Sequence, residues 1–311
     1  MRKYEFQLML LIIWYMFTLK ANALGATQAI YSIPFQMQGN YIVLKATVNN
    51  AKLDTAIFLF DTGATGSIID STFAAKNNIK SKLSGAITIT ASGPVKIRSA
   101  KIKSLKFDDK NILTKNIDFS VIDLSNFKSL NIQGIIGYDL LSRYCISVNY
   151  DKRCMEFYSF NDYKGPNDYE KYKFELSDFV QIPKFPISFK TYTEEEFTGD
   201  ILFDTGADLN ILFSQSFLEE NNLMEKLNST GPVDTAKSLN NLPITLKTGA
   251  IKKLNIGSLE FKDIVIKLPS NNAGSFSFPN FMGILGAEAI CKMNFILDYS
   301  KQLLYLKASS N

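Results

Sequence analysis

The sequence predicts an all-β protein made of two similar lobes related by pseudo-twofold symmetry, with few short helices. Three observations indicate this fold class: β-branched and aromatic runs separated by turn residues, an internal duplication, and little helical periodicity. The chain has 311 residues, of which 46% are hydrophobic and 21% are charged, so it has ample apolar side chains for a packed core.

Residues 1–23 have the layout of a secretory signal peptide. Two cations, Arg2 and Lys3, precede an apolar run of 12 residues that ends at Leu19, and small residues lead up to Ala23. A membrane-spanning helix needs about 20 apolar residues. We therefore expect cleavage after Ala23, export to the periplasm or the medium, and no stable membrane insertion after cleavage.

One unit occurs twice in the remaining chain. The segment AIFLFDTGATGSIID, with Asp61, returns as DILFDTGADLNILF, with Asp204, and five residues, Phe-Asp-Thr-Gly-Ala, are identical. A second matching pair begins at Gly134 and Gly283, an offset of 149 residues. The duplication predicts an N-terminal β lobe over residues 24–160 and a C-terminal β lobe over residues 173–311, joined by a linker over residues 161–172.

The elements of each lobe follow from local patterns. Apolar and alternating runs predict strands in the first lobe at residues 41–48, 56–60, 95–107 and 117–122. The same texture predicts strands in the second lobe at residues 185–192, 200–203, 244–256 and 264–268. Short helices are predicted at residues 71–78 and 214–222, and after Gly137 and Gly286.

Composition excludes several kinds of catalytic site. The chain has no histidine, which rules out Ser-His-Asp and Cys-His nucleophile pairs and zinc sites with histidine ligands. Its three cysteines are too few for a four-thiolate zinc site, and a net charge of +4 without a long basic run gives little reason to expect nucleic acid binding. Carboxylates, serines and lysines are left to carry any chemistry.

The repeated Asp-Thr-Gly is the strongest candidate site. Each aspartate directly follows an apolar strand, and the glycine two residues later permits close backbone packing. Two apolar residues between glycines follow 73 residues after Asp61 and 79 residues after Asp204. A single Asp-Thr-Gly would indicate only a strand that ends in a turn, but its recurrence once per lobe, in the same context, favours a functional role.

These motifs resemble the aspartic proteases of the pepsin-like and retropepsin-like kind. The resemblance covers essentially the whole chain after residue 23, and its specific part is the two Asp-Thr-Gly-Ala segments and the triplets that end at Gly137 and Gly286. The alanine after each Asp-Thr-Gly and the short lobes are closer to bacterial exported members of the family.

The resemblance implies an acid protease fold and an aspartic endopeptidase, in which Asp61 and Asp204 face each other and activate a water molecule. Two close carboxylates cannot both ionise cheaply, so they share a proton, and one acts as base while the other acts as acid. It implies four residues that support the active loops: Thr62, Gly63, Thr205 and Gly206. We expect a monomer that acts on peptide or protein substrates, without nucleic acid, metal or cofactor.

A family member also carries a hairpin flap over its cleft. The candidate lies at Ile87–Ile97, and the stretch has no tyrosine, unlike the pepsin pattern.

Two other functions are compatible with parts of the pattern. A non-catalytic peptide-binding protein could keep this fold, although both aspartates are intact. A glycosidase would need two carboxyl groups about 5–10 Å apart, but it gives no reason for Thr-Gly after both aspartates.

Two cysteines raise the question of a disulfide. Cys145 and Cys154 flank a predicted turn near residues 149–151 symmetrically, which would place them opposite each other in a hairpin. An exported protein could oxidise them, and a pair of reduced, partly buried thiols is the alternative. Cys291 has no evident partner.

Overall fold

The computed structural model describes residues 28–49, 55–90, 93–108, 111, 116–160, 163–177, 180–227, 233–237, 243–269 and 281–310. The predicted signal peptide, residues 1–23, lies outside this part of the chain. The structure is mostly β with only short helices, so the predicted all-β fold class is confirmed. Within the described ranges, no helix has the length and apolar character needed to span a membrane.

The first lobe is built on a nine-stranded sheet. Its strands are β2 (Gln36–Gln38), β3 (Tyr41–Val48), β4 (Thr55–Phe60), β5 (Ile68–Asp70), β6 (Ser81–Thr90), β7 (Gly93–Ile102), β8 (Leu105–Lys106), β9 (Ile117–Ile122) and β10 (Gly134–Ile136). The strand order is β2-β3-β4-β10-β5-β9-β7-β6, and β8 pairs with β3.

The second lobe repeats this arrangement in an eight-stranded sheet. Its strands are β14 (Glu175–Leu176), β15 (Pro183–Lys190), β16 (Glu196–Phe203), β17 (Ile211–Phe213), β18 (Val233–Lys237), β19 (Pro243–Ile256), β20 (Leu259–Pro269) and β21 (Gly283–Leu285). The order β14-β15-β16-β21-β17-β20-β19-β18 matches that of the first lobe position by position. The end of β19 pairs with β15, as β8 pairs with β3. The duplication seen in the sequence is therefore a duplication of strand topology.

A third sheet joins the lobes. Its six strands, in spatial order, are β1 (Tyr31–Pro34), β12 (Cys154–Tyr158), β11 (Cys145–Asn149), β22 (Met293–Asp298), β23 (Leu303–Ala308) and β13 (Glu170–Lys173). Equivalent strands of the two copies, β11 and β22, pair antiparallel at its centre, with Ile146 opposite Leu297. β13 begins inside the segment predicted as a linker and pairs with β23.

The four predicted short helices all form. They are α1 (Ser71–Lys76), α2 (Tyr138–Leu141), α3 (Gln215–Glu220) and α4 (Ala287–Ile290), and a 3-10 helix lies at Ser125–Leu130. The side chain of Asp70 accepts a hydrogen bond from the backbone N–H of Phe73 and caps α1, and Ser214 caps α3 through Phe217 in the same way. Such caps satisfy amides that have no partner within the helix.

Buried phenylalanines and aliphatic residues form one large core that includes both lobes and the joining sheet. Alternation decides which side chains enter it: along β15, residues at every second position from Pro183 to Phe189 are buried and their neighbours are not. Phe203 of the second lobe packs edge-to-face on Phe295 of the joining sheet, with ring centroids 5.0 Å apart. Each large side chain buried in this way contributes about 1.5–3 kcal/mol.

The disulfide that the sequence left open is absent. All three cysteines are free. Cys145 pairs with Tyr158, and Cys154 pairs with Asn149, because the turn of this hairpin is centred two residues later than the sequence suggested. Cys145 is thus four residues along β11 from the partner of Cys154, about 13 Å at ordinary strand rise, whereas a disulfide needs Cα atoms within about 7 Å.

The predicted flap is a β-hairpin. Strands β6 and β7 pair antiparallel, and the last described pair before the tip joins Thr90 to Gly93. In the second lobe, β18 and β19 form a hairpin at the equivalent place in the strand order.

Candidate active site

Each Asp-Thr-Gly begins at the end of a buried strand that has a neighbouring strand on both sides. Strand β4 runs parallel to β10 and leads into Asp61, and β16 runs parallel to β21 and leads into Asp204. The backbone N–H of Asp61 donates to the carbonyl of Ile136 at 3.1 Å, and that of Asp204 donates to the carbonyl of Leu285 at 3.0 Å. The apolar triplets therefore fix the point at which each aspartate leaves its sheet.

The glycine of each motif holds the carboxylate of its own loop. The N–H of Gly63 donates to Oδ1 of Asp61 at 2.8 Å, and the N–H of Gly206 donates to Oδ1 of Asp204 at 2.8 Å. These bonds leave the other carboxylate oxygen of each aspartate available for further contacts.

The same glycines also bring the two loops together. A Cβ atom on Gly63 would lie 2.3 Å from Cγ of Asp204, and a Cβ atom on Gly206 would lie 2.3 Å from Cγ of Asp61. Each carboxylate thus lies against the backbone of the opposite motif, where a side chain would collide with it. The structure therefore places the two aspartates face to face, one from each lobe.

The threonines lock this arrangement through four reciprocal hydrogen bonds. The backbone N–H of Thr62 donates to Oγ1 of Thr205 at 3.0 Å, and the N–H of Thr205 donates to Oγ1 of Thr62 at 3.0 Å. In turn, Oγ1 of Thr62 donates to the carbonyl of Phe203 at 2.7 Å, and Oγ1 of Thr205 donates to the carbonyl of Phe60 at 2.9 Å. Both threonines are only 1% exposed, so no water competes for these bonds.

A glycine also lies behind each active loop. A Cβ atom on Gly137 would lie 2.7 Å from the carbonyl oxygen of Ala64, and one on Gly286 would lie 2.5 Å from that of Ala207. The next residue donates to the same carbonyl in both lobes, Tyr138 to Ala64 at 2.8 Å and Ala287 to Ala207 at 2.7 Å. The glycines permit this close packing, which supports the loops from behind.

The two carboxyl groups titrate as a pair. Burial raises the pKa of Asp61 well above its ordinary range, and the neighbouring charge of Asp204 raises it further. Burial also raises the pKa of Asp204, against the lowering effect of the Gly206 N–H. Two carboxyl groups this close are expected to share one proton, because both cannot ionise cheaply. The arrangement provides an acid and a base next to each other without a histidine.

Sequence reasoning missed a set of residues beside this pair. Asn40 donates through Nδ2 to Oδ1 of Asp208 at 2.8 Å, which connects the first lobe to the residue four positions after Asp204. The next residue, Tyr41, accepts a hydrogen bond from the backbone of Asp208. Burial and the charges of Asp208, Asp204 and Asp61 raise the pKa of Tyr41, so its hydroxyl stays protonated. No motif marks these residues, because they lie far from Asp208 in sequence.

Comparison with known proteins agrees with this geometry. Residues 44–140 match the family model described as aspartyl protease. This match supports an aspartic protease family for the chain. The matched range contains the Asp-Thr-Gly at Asp61 and the triplet that ends at Gly137, both in the first copy. The second copy has the same five residues around Asp204 and the same strand order.

A search of curated proteins finds no match to the chain. The family-model match supports a protease-type function and a hydrolase activity in general terms.

Proposed function

We propose that the protein is an aspartic endopeptidase in which Asp61 and Asp204 activate a water molecule for attack on a peptide bond. One observation carries the proposal: two carboxylates from duplicated loops face each other, each against the glycine of the other motif. A structural role alone would not require both side chains to be carboxylates, because their repulsion and burial cost stability.

The residues suggest how the reaction proceeds. The ionised member of the pair takes a proton from water, and the resulting hydroxide attacks the carbonyl carbon of the peptide. The protonated member gives its proton to the carbonyl oxygen, which yields a tetrahedral intermediate. Transfer of a proton to the departing amine then breaks the carbon–nitrogen bond.

The loop contacts keep this pair in place. The N–H groups of Gly63 and Gly206 donate to one oxygen of each carboxylate, so rotation of the carboxylates is restricted. The bonds between Thr62 and Thr205 keep the lobes from shifting against each other. A displacement of about 1 Å at such a site can reduce the rate about 100-fold, so rigidity at this interface serves the reaction.

Replacement of each aspartate tests the proposal. Asp61→Asn and Asp204→Asn keep the size of the side chain and an acceptor for the glycine N–H but remove the shared proton. Because general acid–base groups contribute roughly 10²–10⁴-fold each, we expect kcat/KM for peptide cleavage to fall at least about 100-fold in either variant. Asp118→Asn is the matched control, because Asp118 is exposed on β9 away from the pair.

The competing function gives a different result. A peptide-binding protein without catalysis would bind a statine-type transition-state analogue no more tightly than an ordinary peptide, and the wild-type protein would leave peptides intact. Cleavage that persists unchanged in both asparagine variants would refute the assignment of these residues.

We propose further that the protein is exported after removal of residues 1–23 and acts as a monomer in the periplasm or the medium. The charge and length of this segment support export. N-terminal sequencing of the protein recovered from a secreting host tests it, with Leu24 as the expected first residue. A mature chain that retains Met1 would contradict it.

A further inference from the structure

The two sides of the aspartate pair differ in charge at equivalent positions. Thr65 follows Ala64, and Asp208 follows Ala207. The carbonyls of these two alanines accept equivalent hydrogen bonds, one in each lobe. Both are exposed beside the pair. One side of the site therefore presents a neutral hydroxyl where the other presents a carboxylate.

The carboxylate of Asp208 is held in position by the opposite lobe. Nδ2 of Asn40 donates to its Oδ1 at 2.8 Å, and Tyr41 accepts a hydrogen bond from its backbone N–H. The turn before these residues contains Gly39 at a φ of +60°, a backbone conformation that favours glycine, and its backbone lies near Oδ2 of Asp208. A charge fixed in this way loses little entropy when it binds a ligand.

The residue that corresponds to Tyr41 on the other side is of a different kind. Val43 pairs with Leu59, two residues before Asp61, and Lys184 pairs with Leu202, two residues before Asp204. This register makes Ile182 the counterpart of Tyr41. Ile182 is aliphatic and buried, so the equivalent position on that side has no hydroxyl group to hold Thr65.

We propose that this difference sets the direction and the charge preference of the peptide substrate. The peptide binds with a lysine or arginine side chain on the Asp208 side of the scissile bond and an uncharged residue on the Thr65 side. This inference rests on the proposed protease function and adds a substrate class to it. A reversed peptide would place its cation beside Thr65 and would lose the ion pair, which discriminates between the two orientations.

Binding of paired peptides tests the inference without any need for turnover. Two peptides contain a reduced, non-hydrolysable central bond and the same residues, with one lysine placed two or three positions before the bond in one peptide and after it in the other. Isothermal titration calorimetry at low salt measures the affinity of each. Because exposed ion pairs contribute modestly, we expect wild-type protein to prefer one peptide by about fivefold, and added salt to reduce this preference.

Two variants identify the cause. Asp208→Asn should remove the preference, and Thr65→Asp should place a carboxylate on the second side and bring the two affinities close together. Asp118→Asn, away from the site, should keep the wild-type ratio. Circular dichroism shows whether each variant is folded.

The outcomes separate this inference from the proposed function. Equal binding of both peptides by wild-type protein, or a preference that survives Asp208→Asn, overturns the charge assignment and leaves the protease proposal standing. Failure of both peptides to bind wild-type protein contradicts the presence of a peptide cleft, and the inference fails together with the proposed function.

Discussion

The threonine lock between the lobes gives a prediction whose size follows from the structure. Thr205→Val keeps the shape of the side chain but removes its hydroxyl. The backbone N–H of Thr62 loses its acceptor at 3.0 Å, and the carbonyl of Phe60 loses its donor at 2.9 Å. Both groups are buried beneath the loops, and each costs about 1–3 kcal/mol when left without a partner. We therefore expect a loss of about 2–6 kcal/mol in the free energy of unfolding.

Urea denaturation followed by tyrosine fluorescence and circular dichroism measures this loss. Thr205→Ser is the matched control, because it keeps the hydroxyl and removes only a methyl group, which costs about 1 kcal/mol. Thr62→Val should match Thr205→Val, because its hydroxyl makes the same two bonds in the opposite lobe. A valine variant as stable as the serine variant would refute the view that these hydroxyls hold the lobes together.

Three further predictions concern the glycines, the aspartate pair and the cysteines. Gly63→Ala should reduce kcat sharply in a folded protein, because the new Cβ would overlap the carboxylate of Asp204, whereas Gly199→Ala meets mainly the flexible end of Met282 at 3.1 Å and should have little effect. Folding raises the pKa values of Asp61 and Asp204, so the unfolded chain releases these two protons at lower pH than the folded protein does. The free energy of unfolding therefore falls as the pH rises from about 4 through the raised pKa values. Asp61→Asn should therefore be more stable than wild type at pH 7 and closer to it at pH 3. All three cysteines should react with a thiol reagent after denaturation without reductant.

Each of these predictions has an opposite outcome. Full activity in the Gly63 variant would contradict the close approach of the two motifs. If Asp61→Asn is less stable than wild type at pH 7, the two carboxylates do not destabilise the folded protein by repulsion and burial. Recovery of only one reactive thiol would show a disulfide in solution.

Much of the fold could be predicted from local patterns. Strands Tyr41–Val48 and Ile117–Ile122 form as expected, because β-branched and aromatic residues there alternate or run together between turn residues. The short helices also form at the predicted places, since polar caps such as Asp70 and Ser214 begin two of them. The duplication predicted that the lobes would match, and the strand orders do.

Non-local features could not be predicted. The joining sheet pairs Ile146 with Leu297, and nothing in either strand identifies the other as its partner. The predicted pairing of Cys145 with Cys154 was wrong, because the turn of their hairpin lies two residues later than expected. This turn ends at Arg153, at a φ of +49°. A shift of two residues in a turn moves every cross-strand pair.

The site itself divides in the same way. Duplication and spacing were enough to select Asp61 and Asp204, and the resemblance supplied the roles of Thr62 and Thr205 before their bonds were visible. The sequence does not mark Tyr41 and Asn40 as site residues, because their contact with Asp208 depends on how the first lobe packs on the second. The sequence thus indicates the residues of the loops, while the contacts around them depend on how the two lobes assemble.

Asp61 and Asp204 are expected to act as one unit that shares a proton. Carbon-13 NMR of selectively labelled aspartate carboxyl groups, followed from pH 2 to pH 9, tests it most directly, with the two asparagine variants providing the assignments. We predict two separated titration steps for the pair, with the pH range of peptide cleavage between them, and a single step for Asp61 in Asp204→Asn. Independent titration of both groups with one midpoint near the ordinary value of about 4 would contradict the claim.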